Sequence, residues 1–327
     1  MKPQAFRRKD AEVIRRFIAT RARQGADAPR LKLSWSNWGF GAERLEVSAA
    51  RIARNGIRYI ELHGNLYGPD LGYRAPEVRR ILSDVGISVA GVCGMITPEQ
   101  EFAGNLPHVR QRAIDYFRRQ IDFCAEVGGS YILFGVGAVG RPQKYDDFEF
   151  DRAAETIRLV ADDFGRRGIR AAIEPIRPEE VSVCHTFAEA ERLIEMIDHP
   201  AVQWINGDLY HMLAGEEHIG ETILRYGDRM INLHMADTNR RALGRGLLDL
   251  DVVLMALYAV AYNEGEKFCT PEPLGPGGNP YEAMFGEPDP AVLDDLVAQT
   301  AATFYEREAE ILAASEADLL PAGVAAA

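Results

Sequence analysis

The sequence predicts a single (β/α)8 barrel of the α/β class, and three observations carry that prediction. Short apolar, β-branched runs alternate with longer amphipathic, charge-rich segments, and eight such units fit into the 327 residues. Several amphipathic segments end in glycine just before the next apolar run, a helix C-cap signature, because glycine adopts positive φ without steric cost. No G-x-G-x-x-G follows the first apolar run and no break in composition marks a second domain, so a doubly wound sheet with an appended domain fits less well.

The elements follow one another in a regular order along the chain. Runs rich in Val, Ile and aromatic residues are typical of buried strands, and the charged segments between them have the apolar spacing of amphipathic helices. We expect strands at LKLSW (31–35), IRYIEL (57–62), ISVAGVC (87–93), SYILFGV (130–136), IRAAIE (169–174), VQWING (202–207), MINLHM (230–235) and EKFCTPE (266–272). We expect helices at residues 43–55, 75–85, 108–127, 150–167, 187–197, 217–226, 250–261 and 291–314.

These elements place the barrel domain at residues 31–315, between an extra N-terminal helical arm at residues 1–30 and a C-terminal tail at residues 316–327. The arm is rich in arginine, which predicts a solvated helix face, with docking on a partner as the alternative. The arginines of that face are Arg7, Arg8, Arg15, Arg16, Arg21 and Arg23.

Composition excludes several classes of protein. An apolar fraction of 47% argues against disorder, and 49 acidic against 37 basic residues, a net charge of -12, argues against a nucleic-acid or anionic-membrane partner. No apolar run approaches the length of a membrane span, and the basic N-terminus lacks the apolar stretch of a secretory signal. The four cysteines are scattered without paired spacing, so neither a zinc ribbon nor a disulfide framework is indicated. We therefore expect a cytoplasmic protein.

Polar side chains collect where the predicted strands end, which in a (β/α)8 barrel is where functional residues lie. One carboxylate or histidine at a strand end is usually solvated or hydrogen-bonded, but ligand-type residues on four consecutive strand ends are hard to obtain by chance. Three carboxylates and one imidazole suit a single divalent cation such as Mn²⁺, Mg²⁺ or Co²⁺, whereas a structural zinc prefers thiolates. The four candidate ligands are Glu174, Asp208, His234 and Glu272.

A cation at this position would orient neighbouring oxygens of a polyol or hydroxy-ketone and stabilise an enediolate as charge develops. Adjacent carboxylates could then act as base and acid on the carbon next to the carbonyl. Arg240, six residues after His234, offers electrostatic help where the oxyanion forms.

Four motifs carry a resemblance to a known family: IEPIRPEE, NGDLYHM, LHMADTNR and TPEPL. With them, the chain resembles the sugar phosphate isomerase/epimerase group of the xylose isomerase-like barrels over about residues 31–275. It is most similar to the ketose 3-epimerases, and it also resembles the catalytic subunits of C-glycoside deglycosidases.

This resemblance implies a role for each matching residue. It makes Glu174, Asp208, His234 and Glu272 the ligands of one divalent metal, usually Mn²⁺. It makes Glu174 and Glu272 the catalytic pair that removes and returns the proton at carbon 3. The residues that would contact the substrate are Glu180, His211 and Arg240, and His63 at the end of the second strand is a further candidate.

The leading hypothesis is a metal-dependent sugar epimerase or isomerase that resembles the ketose 3-epimerases. The alternative is a lyase that uses the same proton abstraction for β-elimination, dehydrating an inosose or cleaving C-glycosides of 3-oxo-sugars as part of a complex. The glycine-rich segment FGVGAVG after the fourth predicted strand indicates a roomy wall of the active site. The long Pro/Gly loop after Glu272 indicates a cap over the active site or a contact with another subunit. Both features favour the lyase. A nuclease is disfavoured by the charge and by only seven histidines.

The predicted partners follow from these hypotheses. We expect a small sugar or glycoside as substrate, no nucleic acid and no membrane. By resemblance we expect a homo-oligomer, or a hetero-complex with a smaller subunit.

Overall fold

The computed structural model describes residues 3–64, 72–274 and 289–320, and it confirms the predicted barrel. Seven parallel strands form one sheet, and their spatial order is the order of the sequence. The strands are β1 (Tyr59–His63), β2 (Ser88–Cys93), β3 (Tyr131–Phe134), β4 (Arg170–Ile173), β5 (Trp204–Asp208), β6 (Met230–Met235) and β7 (Phe268–Pro271).

The eighth position is occupied by residues 31–36, the first predicted strand. The Ser34 amide donates to the Cys269 carbonyl of β7 at 2.8 Å, and the Glu61 amide of β1 donates to the Trp35 carbonyl at 2.8 Å. The segment thus joins the two edges of the sheet and closes the barrel. Two further backbone hydrogen bonds join it to β7, from the Cys269 amide to the Lys32 carbonyl at 2.9 Å and from the Ser36 amide to the Pro271 carbonyl at 3.1 Å.

Helices follow the strands on the outside, as predicted. They are α1 (Gln4–Gln24), α2 (Leu45–Arg54), α3 (Ala75–Asp84), α4 (Pro107–Val127), α5 (Glu149–Arg167), α6 (Phe187–Ile197), α7 (Leu209–Gly215), α8 (Ile219–Tyr226), α9 (Leu250–Ala259), α10 (Pro290–Ala313) and α11 (Glu316–Leu319). The expected left-handed glycine caps are present at Gly128 after α4 and Gly168 after α5, with φ of 81° and 67°. The sequence analysis did not predict α7, α11 or the 3₁₀ turn Asn37–Phe40.

Two apolar clusters hold these layers together. The larger one lies between the helices and the sheet, and a smaller one includes Tyr131, Leu133 and Phe268 from the strands. A fully buried polar layer of Glu61, Asn206 and Asn232 occupies the strands as well. The barrel therefore carries a polar network among its strands, hydrogen-bonded except at Asn206 Nδ2, close to the ends where the predicted ligands lie.

The N-terminal arm packs on the barrel through α1, which contacts α8 and α9. Val13 and Phe17 of α1 are fully buried. Arg21, predicted to be solvated, is half-buried and donates to the carbonyl oxygens of three residues at the end of α10, where the last carbonyls of a helix lack partners. The prediction of a solvated face was wrong for Arg21, while the other five arginines of that face are exposed.

Two predicted features lie outside the described residues. They are most of the Pro/Gly loop after Glu272, at residues 275–288, and the end of the C-terminal tail, at residues 321–327. Within the described ranges, no helix combines the length and the apolar character that a bilayer crossing requires.

Candidate metal centre

His234 on β6 lies at the centre of four acidic side chains and is 1% exposed. Its Nδ1 is 3.5 Å from Glu174 Oε1, 3.5 Å from Glu272 Oε2 and 3.8 Å from Asp208 Oδ2. On the other side of the ring, Nε2 donates to Glu61 Oε1 at 2.8 Å. The structure therefore brings the four predicted ligand residues together and adds Glu61 to them.

The donor set fits a divalent cation. Nδ1 of His234 is a buried polar atom without a hydrogen-bond partner, although three carboxylates face it. The ligand atoms of Glu174, Asp208 and His234 lie within 4.8 Å of one another, and so do those of Glu61, His234 and Glu272. Carboxylate oxygens with one imidazole nitrogen suit Mn²⁺, Mg²⁺ or Co²⁺, in agreement with the sequence prediction.

Local hydrogen bonds orient two of the carboxylates. Asp208 ends β5 and is the N-cap of α7, so its Oδ1 accepts from the backbone amides of Tyr210 at 2.7 Å and His211 at 3.3 Å. Glu272 accepts a hydrogen bond from Ser36 Oγ on its Oε1 at 2.9 Å. In both residues one carboxylate oxygen is occupied by the protein and the other faces the imidazole.

Burial and mutual charge set the protonation of the metal-free site. Burial raises the pKa of Glu272 to about 7. Burial opposes a charge on His234 as well, but Glu272 and Glu61 outweigh it and raise the pKa of His234 well above its ordinary value. At Asp208 burial is likewise outweighed by the neighbouring histidines, which lower its pKa. A divalent cation would replace the imidazolium charge, so binding of the cation competes with protons.

A cavity of about 50 Å³ opens beside this cluster. Its wall includes Glu174 and Glu272 together with the three residues predicted to contact substrate, Glu180, His211 and Arg240. Both catalytic candidates and three of the four substrate-binding candidates thus line one cavity, and their roles stay predictions.

Two residues that the sequence analysis did not single out organise the outer side of the cavity. Arg177 donates from Nε to Glu180 Oε1 at 2.8 Å and from Nη1 to the Tyr210 hydroxyl at 2.8 Å. The guanidinium groups of Arg177 and Arg240 lie 4.6 Å and 4.3 Å from the centre of the Tyr210 ring, within cation–π range. Nothing in the local sequence marks the contacts of Tyr210 with Arg177 and Arg240, because these residues follow three different strands, β5, β4 and β6.

His63 does not belong to the described wall of the cavity. Its Nε2 is 3.2 Å from the Tyr73 hydroxyl, and its backbone amide donates to Asn37 Oδ1 at 2.8 Å. Burial lowers the pKa of His63, which keeps the ring neutral. The predicted contact between His63 and substrate stays a prediction, without support from the cavity wall.

The glycine-rich loop after β3 does not form the roomy wall that the sequence predicted. A Cβ at Gly135 would lie 2.7 Å from Ile176 Cδ1, and one at Gly137 would lie 3.1 Å from Ser182 Oγ. The glycines let this loop pack closely on the loop after β4, so Ile176 and Ser182 occupy the space that side chains at Gly135 and Gly137 would need. That correction removes one of the two arguments for an elimination reaction on a bulky glycoside.

The family profile described as "Xylose isomerase-like TIM barrel" matches residues 49–287, a span that contains all four predicted ligands. The chain belongs to the xylose isomerase-like TIM barrel family. Within that family it is 24% identical over 241 residues to 3-dehydro-D-guloside 4-epimerase of Escherichia coli (strain K12), covering 71% of this chain and 89% of that protein. It is 23% identical over 228 residues to a ketose 3-epimerase of Arthrobacter globiformis, covering 68% of this chain and 76% of that protein.

A solved structure of the same architecture is D-allulose 3-epimerase from Methylomonas sp. in complex with D-allulose. It matches with a TM-score of 0.72 and 19% identity, over 85% of this chain and 98% of that chain, which shows a shared fold. These three relatives are all named as sugar epimerases.

Proposed function

We propose that the protein is a divalent-metal-dependent sugar epimerase or isomerase that acts on the carbon next to a keto group. One observation carries the proposal: Glu174 and Glu272 each approach His234 Nδ1 to 3.5 Å, and both face the cavity that Arg240 also lines. Two carboxylates on one space can take a proton from a carbon and return a proton to it, which is the requirement of an epimerase.

The residues divide the chemistry between them. One of Glu174 and Glu272 accepts the proton from the carbon beside the carbonyl, and the other returns a proton to the opposite face. Arg240 and His211 hold the substrate oxygens and offset their developing charge.

A divalent cation held by Glu174, Asp208, His234 and Glu272 would polarise the carbonyl and stabilise negative charge on its oxygen. We propose Mn²⁺ as the native ion, with Mg²⁺ and Co²⁺ as alternatives, because hard oxygen donors dominate the site.

The substrate class follows from the names of the relatives. A ketose 3-epimerase inverts the carbon next to a carbonyl at carbon 2, and a 3-dehydro-guloside 4-epimerase inverts the carbon next to a carbonyl at carbon 3. Both reactions invert a carbon adjacent to a ketone, so the same pair of carboxylates serves either. We infer that the substrate is a free ketose or a keto-glycoside.

Deuterium incorporation tests the proposal. The Mn²⁺-loaded protein is incubated in D₂O with D-fructose, D-allulose or methyl 3-dehydro-glucoside, and the recovered sugars are analysed by mass spectrometry and NMR. We expect one deuterium on the inverted carbon and a mixture of both epimers with at least one of them. Unlabelled, uninverted sugar with all three substrates contradicts the proposal, and release of methanol indicates elimination instead. Metal-free protein is the control.

We also propose a cytoplasmic, oligomeric protein. All four cysteines are free and buried, as expected in a reducing compartment. A homo-oligomer is our first expectation and a complex with a smaller subunit the second, and native mass spectrometry of the protein purified from its source distinguishes them.

A further inference from the structure

Glu61 is a buried carboxylate that contacts His234 of the candidate metal centre from the interior of the barrel. It is 0% exposed, and its Oε1 accepts the Nε2 hydrogen of His234 at 2.8 Å. A carboxylate with no access to water must be paired, since an isolated buried charge is strongly unfavourable. The role of Glu61 therefore depends on which groups satisfy it.

The other carboxylate oxygen of Glu61 is held by two donors from β3 and β6, across the interior of the barrel. Its Oε2 accepts from the Tyr131 hydroxyl at 2.7 Å and from Asn232 Nδ2 at 3.0 Å. Asn232 is fixed in turn, because its Nδ2 also donates to Asn206 Oδ1 at 2.9 Å and its Oδ1 accepts from the Thr270 hydroxyl at 2.6 Å. Four strands thus hold the Glu61 carboxylate in one orientation.

This orientation has a consequence for His234. A ring nitrogen that donates to a carboxylate carries the hydrogen, so in a metal-bound imidazole the lone pair is left on the other nitrogen. That other nitrogen, Nδ1, is the atom that faces Glu174 and Glu272 at 3.5 Å and has no hydrogen-bond partner.

We propose that Glu61 is a positioning residue of the metal centre, which holds the His234 ring with its Nδ1 lone pair directed at the cation. The inference rests on the proposed function in so far as that function includes a divalent cation at His234. The buried polar layer of Glu61, Asn206 and Asn232 would then contribute to metal affinity as well as to packing.

A competing arrangement makes Glu61 a ligand itself, since Glu61, His234 and Glu272 also lie within ligand reach of one another. The hydrogen bonds argue against it. Three protein donors already occupy the Glu61 carboxylate, and ligation through Nε2 of His234 would break the 2.8 Å bond between the two side chains. Nδ1 needs no such rearrangement.

The test measures metal affinity without substrate in four proteins: wild type, Glu61→Ala, Glu61→Gln and Glu308→Gln. Mn²⁺ is titrated by calorimetry, and Co²⁺ is added separately to record the visible absorption of its ligand field. Glu308 is a matched control, because it is 4% exposed and accepts from the Tyr258 hydroxyl at 2.8 Å and the Leu31 amide at 2.9 Å, outside the metal cluster.

We expect Glu61→Ala to weaken Mn²⁺ binding by about 10- to 100-fold, the usual effect of removing a partner of a metal-bound histidine. Glu61→Gln should recover most of that loss and keep the Co²⁺ spectrum of wild type, since an amide oxygen still accepts the Nε2 hydrogen. Glu308→Gln should bind as wild type does. If Glu61→Ala does not fold, Tyr131→Phe replaces it and should weaken binding in the same direction.

Three results would overturn the inference, and each is distinguishable. Wild-type affinity in Glu61→Ala, or in Tyr131→Phe where that variant replaces it, refutes the role of Glu61 and leaves the proposed function intact. A Glu61→Gln protein as weak as Glu61→Ala, with an altered Co²⁺ spectrum, makes Glu61 a ligand. A wild-type protein that binds neither ion refutes the metal centre of the proposed function and this inference with it.

Discussion

The two nitrogens of the His234 ring have different surroundings. One is bonded to Glu61 at 2.8 Å, and the other is buried, unpartnered and surrounded by three carboxylates. Because two of these carboxylates also have an oxygen engaged elsewhere, Asp208 with α7 and Glu272 with Ser36, rotation of those two side chains is restricted. Restriction of this kind pre-organises a metal site and reduces the ordering needed on binding.

Glutamine in place of either catalytic candidate should stop turnover. Glu174→Gln and Glu272→Gln keep the shape of the side chain but remove the proton acceptor, and general acid–base catalysis contributes about 10²- to 10⁴-fold. We expect kcat to fall by at least about a hundredfold in each, measured as deuterium exchange into substrate at saturating Mn²⁺. A loss below about tenfold in either variant would exclude that residue from proton transfer. Circular dichroism checks the fold, and Glu308→Gln is the matched control.

The raised pKa of Glu272 predicts how metal stabilisation depends on pH. The pKa in the folded, metal-free protein is about 7 against an ordinary value of 4.5, so this carboxyl stabilises the fold below pH 4.5 and the contribution is lost as the pH rises through about 7. A cation binds the ionised carboxylate, so the stabilisation of the folded protein by the cation should increase as the pH rises through about 7. The increase in Tm on adding saturating Mn²⁺ should therefore be larger at pH 8 than at pH 6. An equal increase at both values would show that Glu272 is already ionised at pH 6.

At the scale of elements, a buried ion cluster of Arg141, Glu101 and Glu149 holds the loop after β3 (residues 135–148) in place. Arg141 donates to both oxygens of Glu101, at 3.0 Å and 2.6 Å, and to Glu149 Oε1 at 2.7 Å. The two carboxylates are 0% and 1% exposed. The same loop bonds to the site directly, since the Gly140 amide donates to the backbone carbonyl of Glu180 at 2.8 Å. The cavity wall is therefore a fixed structure.

Removing the cation of this cluster should destabilise the protein strongly. Arg141→Met leaves two buried carboxylates unpaired, which costs about 3–5 kcal/mol of unfolding free energy. Urea denaturation followed by circular dichroism measures the loss. Arg167→Met is the control, because Arg167 pairs with Asp122 at the surface, both about half-exposed, and an exposed pair contributes about 1 kcal/mol or less. Similar losses in the two variants would contradict the assignment of the cluster.

At the scale of the whole molecule, backbone hydrogen bonds and apolar packing hold the fold together. The barrel is closed by backbone hydrogen bonds from residues 31–36 to both sheet edges, and its apolar clusters extend through every layer. The arm adds to this closure, since α1 packs on α8 and α9 and Arg21 bonds to the end of α10. None of these contacts uses the side chain of one of the four candidate ligands.

Chelation should therefore separate activity from folding. We expect EDTA to abolish deuterium exchange, and added Mn²⁺ to restore it, while the far-ultraviolet circular dichroism changes little. The physical reason is that the ion is bound at the rim, whereas the core depends on apolar burial. Loss of the helical signal on chelation would show instead that the metal is structural.

Much of this architecture was predictable because it repeats. The alternation of apolar runs and amphipathic segments located seven strands and eight of the helices, and the glycines at Gly128 and Gly168 marked helix ends. Strand ends could then be read directly, which is why Glu174 and Glu272 could be named before any distance was known. The short helix α7 was missed, since seven residues are too few to show a period.

The amino-acid sequence thus specifies which side chains lie at the mouth of the barrel, because the carboxyl ends of parallel strands all lie at the same end of a barrel. Contacts between segments far apart in the chain were decided by folding alone. They include the bond from Glu61 to His234, the hydrogen bond from Arg177 to Tyr210, and the close packing of Gly135 on Ile176 in the cavity wall. Local sequence cannot encode such pairs, since each depends on the distance between loops that only the closed barrel establishes.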